Sequence, residues 1–368
     1  MIINEALSYD DVLLVPGYSD VLPRACDTNT LLCAGIYLKV PVISAAMDTV
    51  TEEALAIALA LKGGSGVLHR NLSPEEQARQ VAGVKQWSAG IDAQSAVDSE
   101  GRLIVGAAIS PYDYRERIPL LKAAHVDYTV IDAAHGDSKA VCNAIQAIKE
   151  QYDIAVIGGN VVTKEGTRRL IDAGADAVKV GLGPGSICTT RIVSGVGIPQ
   201  FTAVLECAEA AAPIPVIADG GIKYSGDITK AIAAGACVVM IGKLFAGTTE
   251  APGNLVTVHG HQYKEHRGMG SIGALKDGAG DRYQIRKDEK LVPEGVEALV
   301  PHCGPLAEYL EQLVSGLRKG MGYCGCKTIQ ALQQYRRFSK ITAQGLYESH
   351  THDLEYIQEA PNYNARNS

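Results

Sequence analysis

Short apolar segments that end in small or polar residues recur along the chain. Their spans are 40–46 (VPVISAA), 64–70 (GSGVLHR), 104–110 (IVGAAIS), 128–136 (YTVIDAAHG), 155–160 (AVIGGN), 176–183 (DAVKVGLG), 215–221 (PVIADGG) and 237–242 (CVVMIG). None of these segments alternates apolar with polar residues, which is typical of strands buried on both faces of a parallel sheet. The sequence therefore predicts eight buried parallel strands.

Helix-like segments separate most of these strands. The clearest are 51–63, 73–87, 138–152 and 164–174, several of which begin with a capping residue and end near glycine. Eight strand–helix units predict a (β/α)₈ TIM barrel, in which the active site forms at the carboxyl ends of the strands. A doubly wound sheet is the alternative fold, but no GxGxxG motif follows a first strand.

The barrel fold predicts where the functional side chains lie. Polar residues follow the strands directly, namely Asp132, Asn160, Cys188 and Asp219. Because the strands are parallel and close into one barrel, we expect these side chains to converge on a single face of the molecule.

Two stretches interrupt the strand–helix rhythm. Residues 88–103 form a polar connector between the second and third units, and residues 250–304 follow the eighth strand. The second stretch, here called the flap insertion, is too long for a simple loop, and long insertions of this kind are often lids or binding loops. We expect residues 1–368 to form one catalytic domain that carries this flap.

Composition and charge narrow the functional classes. The net charge is −7 and 46% of residues are hydrophobic, while no basic cluster suggests a nucleic-acid partner. The acidic start MIINEALSYDD is unlike a secretory signal, and no apolar run reaches the length of a membrane span. These features predict a cytoplasmic protein without a membrane partner, whose nine cysteines are reduced.

A glycine-rich pattern at 218–247 is typical of phosphate binding in barrels. Gly220 and Gly221 follow the seventh strand and Gly242 follows the eighth, where backbone N–H groups commonly hold phosphate. Asp219, which ends the seventh strand, is a candidate acceptor for hydrogen bonds from ribose hydroxyls. Flavin-binding barrels share this pattern, and the glycines alone are also compatible with tight turns.

The loop 183–191 (GPGSICTTR) holds a cysteine in a polar, glycine-rich setting. Buried structural cysteines normally lie in apolar elements, whereas Cys188 lies among backbone amides and hydroxyls that favour a thiolate. Cys188 is therefore a candidate nucleophile, although an inert loop thiol remains the alternative for the residue by itself. Cys324 and Cys326 lie near each other in sequence, but their spacing fits no standard zinc site.

Taken together, these motifs closely resemble the inosine 5′-monophosphate (IMP) dehydrogenases. The resemblance rests on LSYDDVLLVPGYSDVLP, AMDTVTE, GLGPGSICTTRIVSGVGIPQ, IADGGI, RGMGSIGA, DRY, LVPEGVE, MGYCG and ESHTHD, in that order. It covers nearly the whole chain. The pair of regulatory CBS modules found in most members of the family is missing, and the connector 88–103 takes its place.

The resemblance implies a two-step reaction. Cys188 would add to C2 of the purine, and a hydride would pass from C2 to NAD. Water would then hydrolyse the covalent thioimidate to xanthosine 5′-monophosphate. Thr190 would belong to the catalytic group, and Arg282 and Tyr283 in the flap would activate the water.

The resemblance also assigns binding roles. IMP would contact Ser186, Asp219, Gly220, Gly221, Met240, Gly242, Lys243, His266, Gly268, Met269, Gly270 and Glu294, with Glu294 accepting from the purine N1–H. NAD would face Asp132, Asn160, Gly181 and Thr190. A potassium ion would be held by Gly183, Gly185 and Cys188, together with Glu348, Ser349 and His350 of a neighbouring subunit, which implies a homotetramer.

Three positions depart from the family pattern in the implied phosphate environment. Ala45 and Lys243 stand where the family usually has serine, and His266 stands where it has tyrosine. Lys243 adds a positive charge and His266 can add another, so phosphate binding would rely on charge rather than on hydroxyls.

Alternative functions follow from these observations. GMP reductase shares the barrel and the cysteine loop but needs no hydrolytic water, so the flap with Arg282 and Tyr283 favours the dehydrogenase. A nucleotide-binding paralogue without turnover would fit the three departures but leaves the retained cysteine loop and flap unexplained. A flavin-binding barrel is the weakest alternative because it gives Cys188 no role.

Overall fold

A computed structural model describes residues 4–277, 291–354, 360 and 362–363. The strands are β1 (Val12–Leu14), β2 (Thr30–Cys33), β3 (Ile36–Leu38), β4 (Val42–Ser44), β5 (Ser65–Leu68), β6 (Val105–Ile109), β7 (Tyr128–Asp132), β8 (Ala155–Val161), β9 (Ala177–Val180), β10 (Val216–Asp219), β11 (Val238–Ile241), β12 (Leu255–Val258), β13 (His261–Arg267), β14 (Glu297–Pro301) and β15 (Phe338–Lys340). The helices are α1 (Glu53–Leu61), α2 (Pro74–Gln86), α3 (Tyr114–Ala123), α4 (Lys139–Gln151), α5 (Lys164–Asp172), α6 (Thr190–Ser194), α7 (Gln200–Ala211), α8 (Ser225–Ala233), α9 (Lys243–Ala246), α10 (Ile272–Lys276), α11 (Leu306–Tyr323), α12 (Ile329–Tyr335) and α13 (Ala343–Ser349).

Strands β4 to β11 form a closed parallel barrel. Each strand pairs with its neighbour along the chain, and β11 pairs with β4 to close the ring. All residues of β6, β7 and β8 are buried, because the barrel interior covers one face and the surrounding helices cover the other. The predicted (β/α)₈ fold is confirmed, and each of the eight predicted segments overlaps one barrel strand.

The predicted helices are confirmed as α1, α2, α4 and α5. The residue just before each of α2, α4 and α5 explains where that helix begins. The hydroxyls of Ser73, Ser138 and Thr163 accept hydrogen bonds from the backbone N–H groups three residues on. Each cap satisfies a donor that the first turn of a helix otherwise leaves unpaired. None of the helices in the described part of the chain combines the length and apolar composition needed to cross a bilayer.

A short antiparallel hairpin, β2–β3, covers the amino-terminal end of the barrel. Leu32 and Leu38 are fully buried and belong to the same apolar cluster as barrel residues such as Tyr128 and Ile157. The Thr30 hydroxyl donates to the carbonyl of Cys237, just before β11. This end of the barrel is therefore plugged, which leaves the carboxyl ends of the strands for a ligand.

The connector 88–103 is anchored to the barrel. Asp98 lies 3.1 Å from the Nζ of Lys85 in α2 and accepts a hydrogen bond from Arg102. A bridge between Val97 and Leu103 closes the loop. Lys85 also lies 2.6 Å from Asp127, which directly precedes β7, so this cluster lies at the amino-terminal end of the barrel.

The flap insertion contains regular structure that the sequence analysis did not predict. Strands β12, β13 and β14 form an antiparallel sheet in which β13 lies in the middle, and α10 follows β13. The alternating burial of β12 and part of β13 is typical of a sheet with one face toward solvent. β13 ends where β14 begins, because Arg267 pairs with Glu297. The segments 268–270 and 294–296 therefore lie side by side, next to the loop that follows β9.

Candidate active site

A cavity of about 350 Å³ lies at the carboxyl ends of the barrel strands. It brings together every predicted IMP contact, namely Ser186, Asp219, Gly220, Gly221, Met240, Gly242, Lys243, His266, Gly268, Met269, Gly270 and Glu294. The predicted residues Asn160, Gly181, Gly183, Gly185, Cys188 and Thr190 line it as well. The convergence expected from the barrel fold is therefore found for most of the candidate residues.

The cysteine loop between β9 and α6 is fixed by the side chain of Arg191. Its Nε donates to the Leu182 carbonyl at 2.8 Å and its Nη2 to the Ile198 carbonyl at 2.7 Å. Gly183 has a φ of +75°, and a Cβ there would lie 2.6 Å from the Cγ of Arg191. The loop thus needs glycine at this position, both for its backbone conformation and for close packing.

Cys188, Thr190 and Glu294 form a chain of polar contacts. The Sγ of Cys188 lies 3.2 Å from the Oγ1 of Thr190, which donates to the Oε2 of Glu294 at 2.7 Å. Because the single hydroxyl proton of Thr190 goes to Glu294, the thiol is the donor to Thr190 in its protonated form. The arrangement provides a path for the thiol proton toward a carboxylate.

Backbone pairing explains how Glu294 reaches the thiol from a distant part of the sequence. Thr189 N–H donates to the Glu294 carbonyl, and Val296 N–H donates to the Ile187 carbonyl. On the other side of the segment, Glu294 N–H donates to the Gly270 carbonyl. The segment 294–296 therefore joins the cysteine loop to the 268–270 turn as the middle of a short ladder.

A buried lysine beneath the cavity was missed by the sequence analysis. Lys179 on β9 is 1% exposed, and its Nζ lies 2.8 Å from Asp219 Oδ2 and 3.5 Å from Asp132 Oδ1. It also donates to the Oδ1 of Asn160, whose Nδ2 donates to Asp219 Oδ2 at 2.9 Å and to the Gly181 carbonyl at 2.7 Å. The signal was present, since a charged residue in a strand buried on both faces requires a partner.

Lys243 and His266 line the same cavity as Gly242 and Met269. Burial and the nearby charge of Lys243 lower the pKa of His266 to about 4, against a smaller opposite effect of Asp48. The Nδ1 of His266 lies 3.1 Å from the hydroxyl of Thr49. At neutral pH His266 is therefore uncharged, and Lys243 carries the positive charge of this pair.

Some predicted residues lie away from the cavity. Asp132 is 4% exposed and meets Lys179 beneath the cavity, without lining it. Glu348 and Ser349 lie at the end of α13, and the His350 ring lies 5.9 Å from the ring of Tyr224. The expectation that a neighbouring subunit supplies the last three residues stays a prediction. Arg282 and Tyr283 lie outside the described residues.

Comparison with known proteins identifies the family. The model of the IMP dehydrogenase / GMP reductase domain matches residues 6–352. The inosine-5′-monophosphate dehydrogenase of Cryptosporidium parvum is 46% identical over 394 aligned positions, which cover 98% of each chain. Those of Halalkalibacterium halodurans and Bacillus subtilis are 42% and 40% identical over 476 and 478 positions, with 98% of each chain covered.

The alignment lengths agree with the short connector. Both bacterial alignments are longer than the 368-residue chain itself, so each contains positions of the relative that have no counterpart here. The alignment with the C. parvum protein is shorter, so far fewer positions of that relative lack a counterpart here. This agrees with a form that lacks the CBS modules. The chain belongs to the IMP dehydrogenase / GMP reductase family.

Proposed function

We propose that this protein oxidises IMP to xanthosine 5′-monophosphate with NAD as the hydride acceptor. The observation that carries the proposal is the thiol of Cys188, in contact through Thr190 with Glu294 inside the glycine-lined cavity. The three relatives compared above are all named inosine-5′-monophosphate dehydrogenase, which supports the same reading over GMP reductase.

The first step uses Cys188 as nucleophile. Its thiolate adds to C2 of the purine, the thiol proton passes by way of Thr190 toward Glu294, and the hydride of C2 leaves. Bound NAD supplies the acceptor for this hydride. In the second step water adds to C2, the carbon–sulfur bond breaks, and Cys188 leaves as the thiolate. The sum is IMP, NAD⁺ and water giving xanthosine 5′-monophosphate, NADH and a proton.

The substrate would lie along the cavity with its base at Cys188. Glu294 would accept from the purine N1–H, and Asp219 would accept from the ribose hydroxyls. The backbone N–H groups near Ser186, Gly220, Gly221 and Gly242 would contact the phosphate, and Met240, Gly268, Met269 and Gly270 would pack against the nucleotide. Glu294 is half-buried, and a bound base would cover it, so a base without a donor at N1 would leave this acceptor without a hydrogen bond.

Charge replaces hydroxyl groups at the phosphate end of this site. Lys243 would attract the phosphate dianion as a point charge, and the neutral ring of His266 would offer one N–H donor. Ala45 also lines the cavity but contributes no polar side-chain atom. We infer that phosphate binding is retained here with a different set of donors.

NAD and potassium fit the residues present. Asn160, Gly181 and Thr190 line the cavity beside Cys188 and would hold the nicotinamide end of NAD, while Asp132 would support them from below. The carbonyl oxygens of Gly183, Gly185 and Cys188 are the type of ligand that hard cations prefer. Glu348, Ser349 and His350 of an adjacent subunit would complete the potassium site in a homotetramer.

The flap insertion would complete the second step. Arg282 and Tyr283 would activate the water that releases the product, in a single catalytic domain spanning 1–368. Segment 294–296, which is tied to the cysteine loop, would couple the flap to the nucleophile. A cytoplasmic location is also proposed, in keeping with the nine free cysteines.

Steady-state assays test the proposal. NADH formation is measured with IMP and NAD, with and without potassium, beside NADPH consumption with GMP. Potassium-dependent NADH formation is the expected result. NADPH consumption with GMP alone would make the protein a reductase, and absence of both activities despite IMP binding would indicate a paralogue without turnover.

A further inference from the structure

We propose that Lys179 is a positioning residue that holds Asp219 and Asn160 in the orientation needed by the substrate and cofactor sides of the cavity. This inference rests on the proposed function, since it assigns Asp219 to the substrate. It concerns a side chain beneath the cavity that does not itself line it.

Four barrel strands meet at the ammonium group of Lys179. The lysine belongs to β9, Asn160 to β8, Asp219 to β10 and Asp132 to β7. Each of the three partners lies at or near the carboxyl end of its strand, where a barrel places its reacting groups. One buried cation thus connects the residues proposed for IMP with those proposed for NAD.

The hydrogen bonds determine the orientation of each partner. The amide of Asn160 accepts from Lys179 through Oδ1 and donates through Nδ2, so its two ends are not interchangeable. Asp219 accepts from both Lys179 and Asn160 through Oδ2. Because Oδ2 takes both bonds, Oδ1 is the oxygen of Asp219 that would be left for a ligand hydroxyl.

The ammonium group of Lys179 also balances the negative charge of two carboxylates. Asp132 and Asp219 are two carboxylates within 3.5 Å of one ammonium group, and the Lys179 and Asp132 side chains are almost completely buried. Removing the ammonium removes the group that contacts both carboxylates, together with the hydrogen bonds by which it holds Asp219 and Asn160. An Asp219 that has turned away binds a sugar hydroxyl less well.

The test compares Lys179→Met with wild type for turnover of IMP with NAD and for IMP binding by calorimetry. We expect the KM for IMP to rise about tenfold or more, since charge-assisted bonds that orient Asp219 are lost, with a smaller change in kcat. A merely structural role would reduce the amount of active enzyme, and so the apparent kcat, without changing the KM for IMP.

Lys85→Met is the matched control. Lys85 is 5% exposed and also lies between two aspartates, but at the opposite end of the barrel. The control is expected to unfold at lower urea concentration while its KM for IMP stays as in wild type. A similar rise in KM in the control would contradict a specific role for Lys179.

The Asp219→Asn background separates positioning from folding. The neutral amide needs no cation, so adding Lys179→Met to Asp219→Asn should change the KM for IMP by less than about threefold. If Lys179→Met alone does not fold, the comparison of Asp219→Asn with the double variant takes its place. A tenfold effect in both backgrounds, or a wild-type KM for IMP in Lys179→Met, would overturn the inference. A wild-type protein that neither binds nor oxidises IMP would instead refute the proposed function.

Discussion

His266 makes the stability of the protein depend on pH in a way that one substitution can isolate. The residue is 2% exposed, and its pKa is lowered to about 4 by burial and by Lys243. In the unfolded chain the pKa of histidine is about 6.5. As the pH falls below that value the unfolded chain binds a proton at this position before the folded chain does, so acid favours unfolding.

The magnitude follows from the two pKa values. The contribution of the neutral His266 to the free energy of unfolding is complete above about pH 6.5 and is lost progressively as the pH falls toward 4. Between pH 7.5 and pH 5 the free energy of unfolding should fall by about 2 kcal/mol on account of His266 alone. His266→Gln keeps a neutral polar side chain beside Thr49 and removes this titration.

Urea unfolding of wild type and His266→Gln at the two pH values gives the measurement. The difference between the two proteins should change by about 2 kcal/mol with pH, because other titrating groups cancel in the comparison. Lys243→Ser should shrink the effect, since the nearby charge is one cause of the lowered pKa. A pH-independent difference between wild type and His266→Gln would refute the reasoning.

Three further predictions concern the cysteine loop and the flap. Thr190→Val removes the hydroxyl between the thiol and the carboxylate, so kcat measured by NADH formation should fall about 100-fold with little change in the KM for IMP; an unchanged kcat would exclude the proton path. Gly195→Ala should destabilise the fold by about 1 kcal/mol in urea unfolding and Gly183→Ala by about 2 kcal/mol or more, since both glycines have a φ above +70° and a Cβ at Gly183 also meets Arg191. Only Gly183→Ala should also lose NADH formation, because its Cβ meets Arg191 whereas that of Gly195 meets open space; equal activities would contradict this. Arg282→Ala should give a burst of NADH in stopped-flow absorbance and then a slow steady state, and equal slowing of both phases would argue against its role in hydrolysis.

The barrel was predictable because its strands are buried on both faces. Such strands appear as uninterrupted apolar runs, and the small or polar residues that end them mark the carboxyl edge. The hairpin β2–β3 and the sheet of the flap insertion were missed. β2–β3 and β12–β13 are joined by two-residue turns, Ala34–Gly35 and His259–Gly260, but three of these four strands have only three or four residues and so give a weak pattern. β13 pairs with β14 across residues 268–296, and local pattern carries little information on so distant a pairing.

The candidate site was predictable to a different extent at each residue. Glu294 was predicted from the motif resemblance. Its place beside the thiol depends on backbone hydrogen bonds with Thr189 and Gly270, which are distant in sequence and form only in the folded chain. Lys179 stood within a predicted strand, and its charge alone called for a buried partner. Which aspartate it would meet follows only from the strand order of the closed barrel.

Intact-mass spectrometry of protein quenched during turnover tests the central claim most directly. With IMP and NAD present, wild type should gain the mass of one covalently attached purine nucleotide, and Cys188→Ala should gain none while it still binds IMP. An adduct that persists in Cys188→Ala, or full NADH formation by that variant, would contradict covalent catalysis by Cys188.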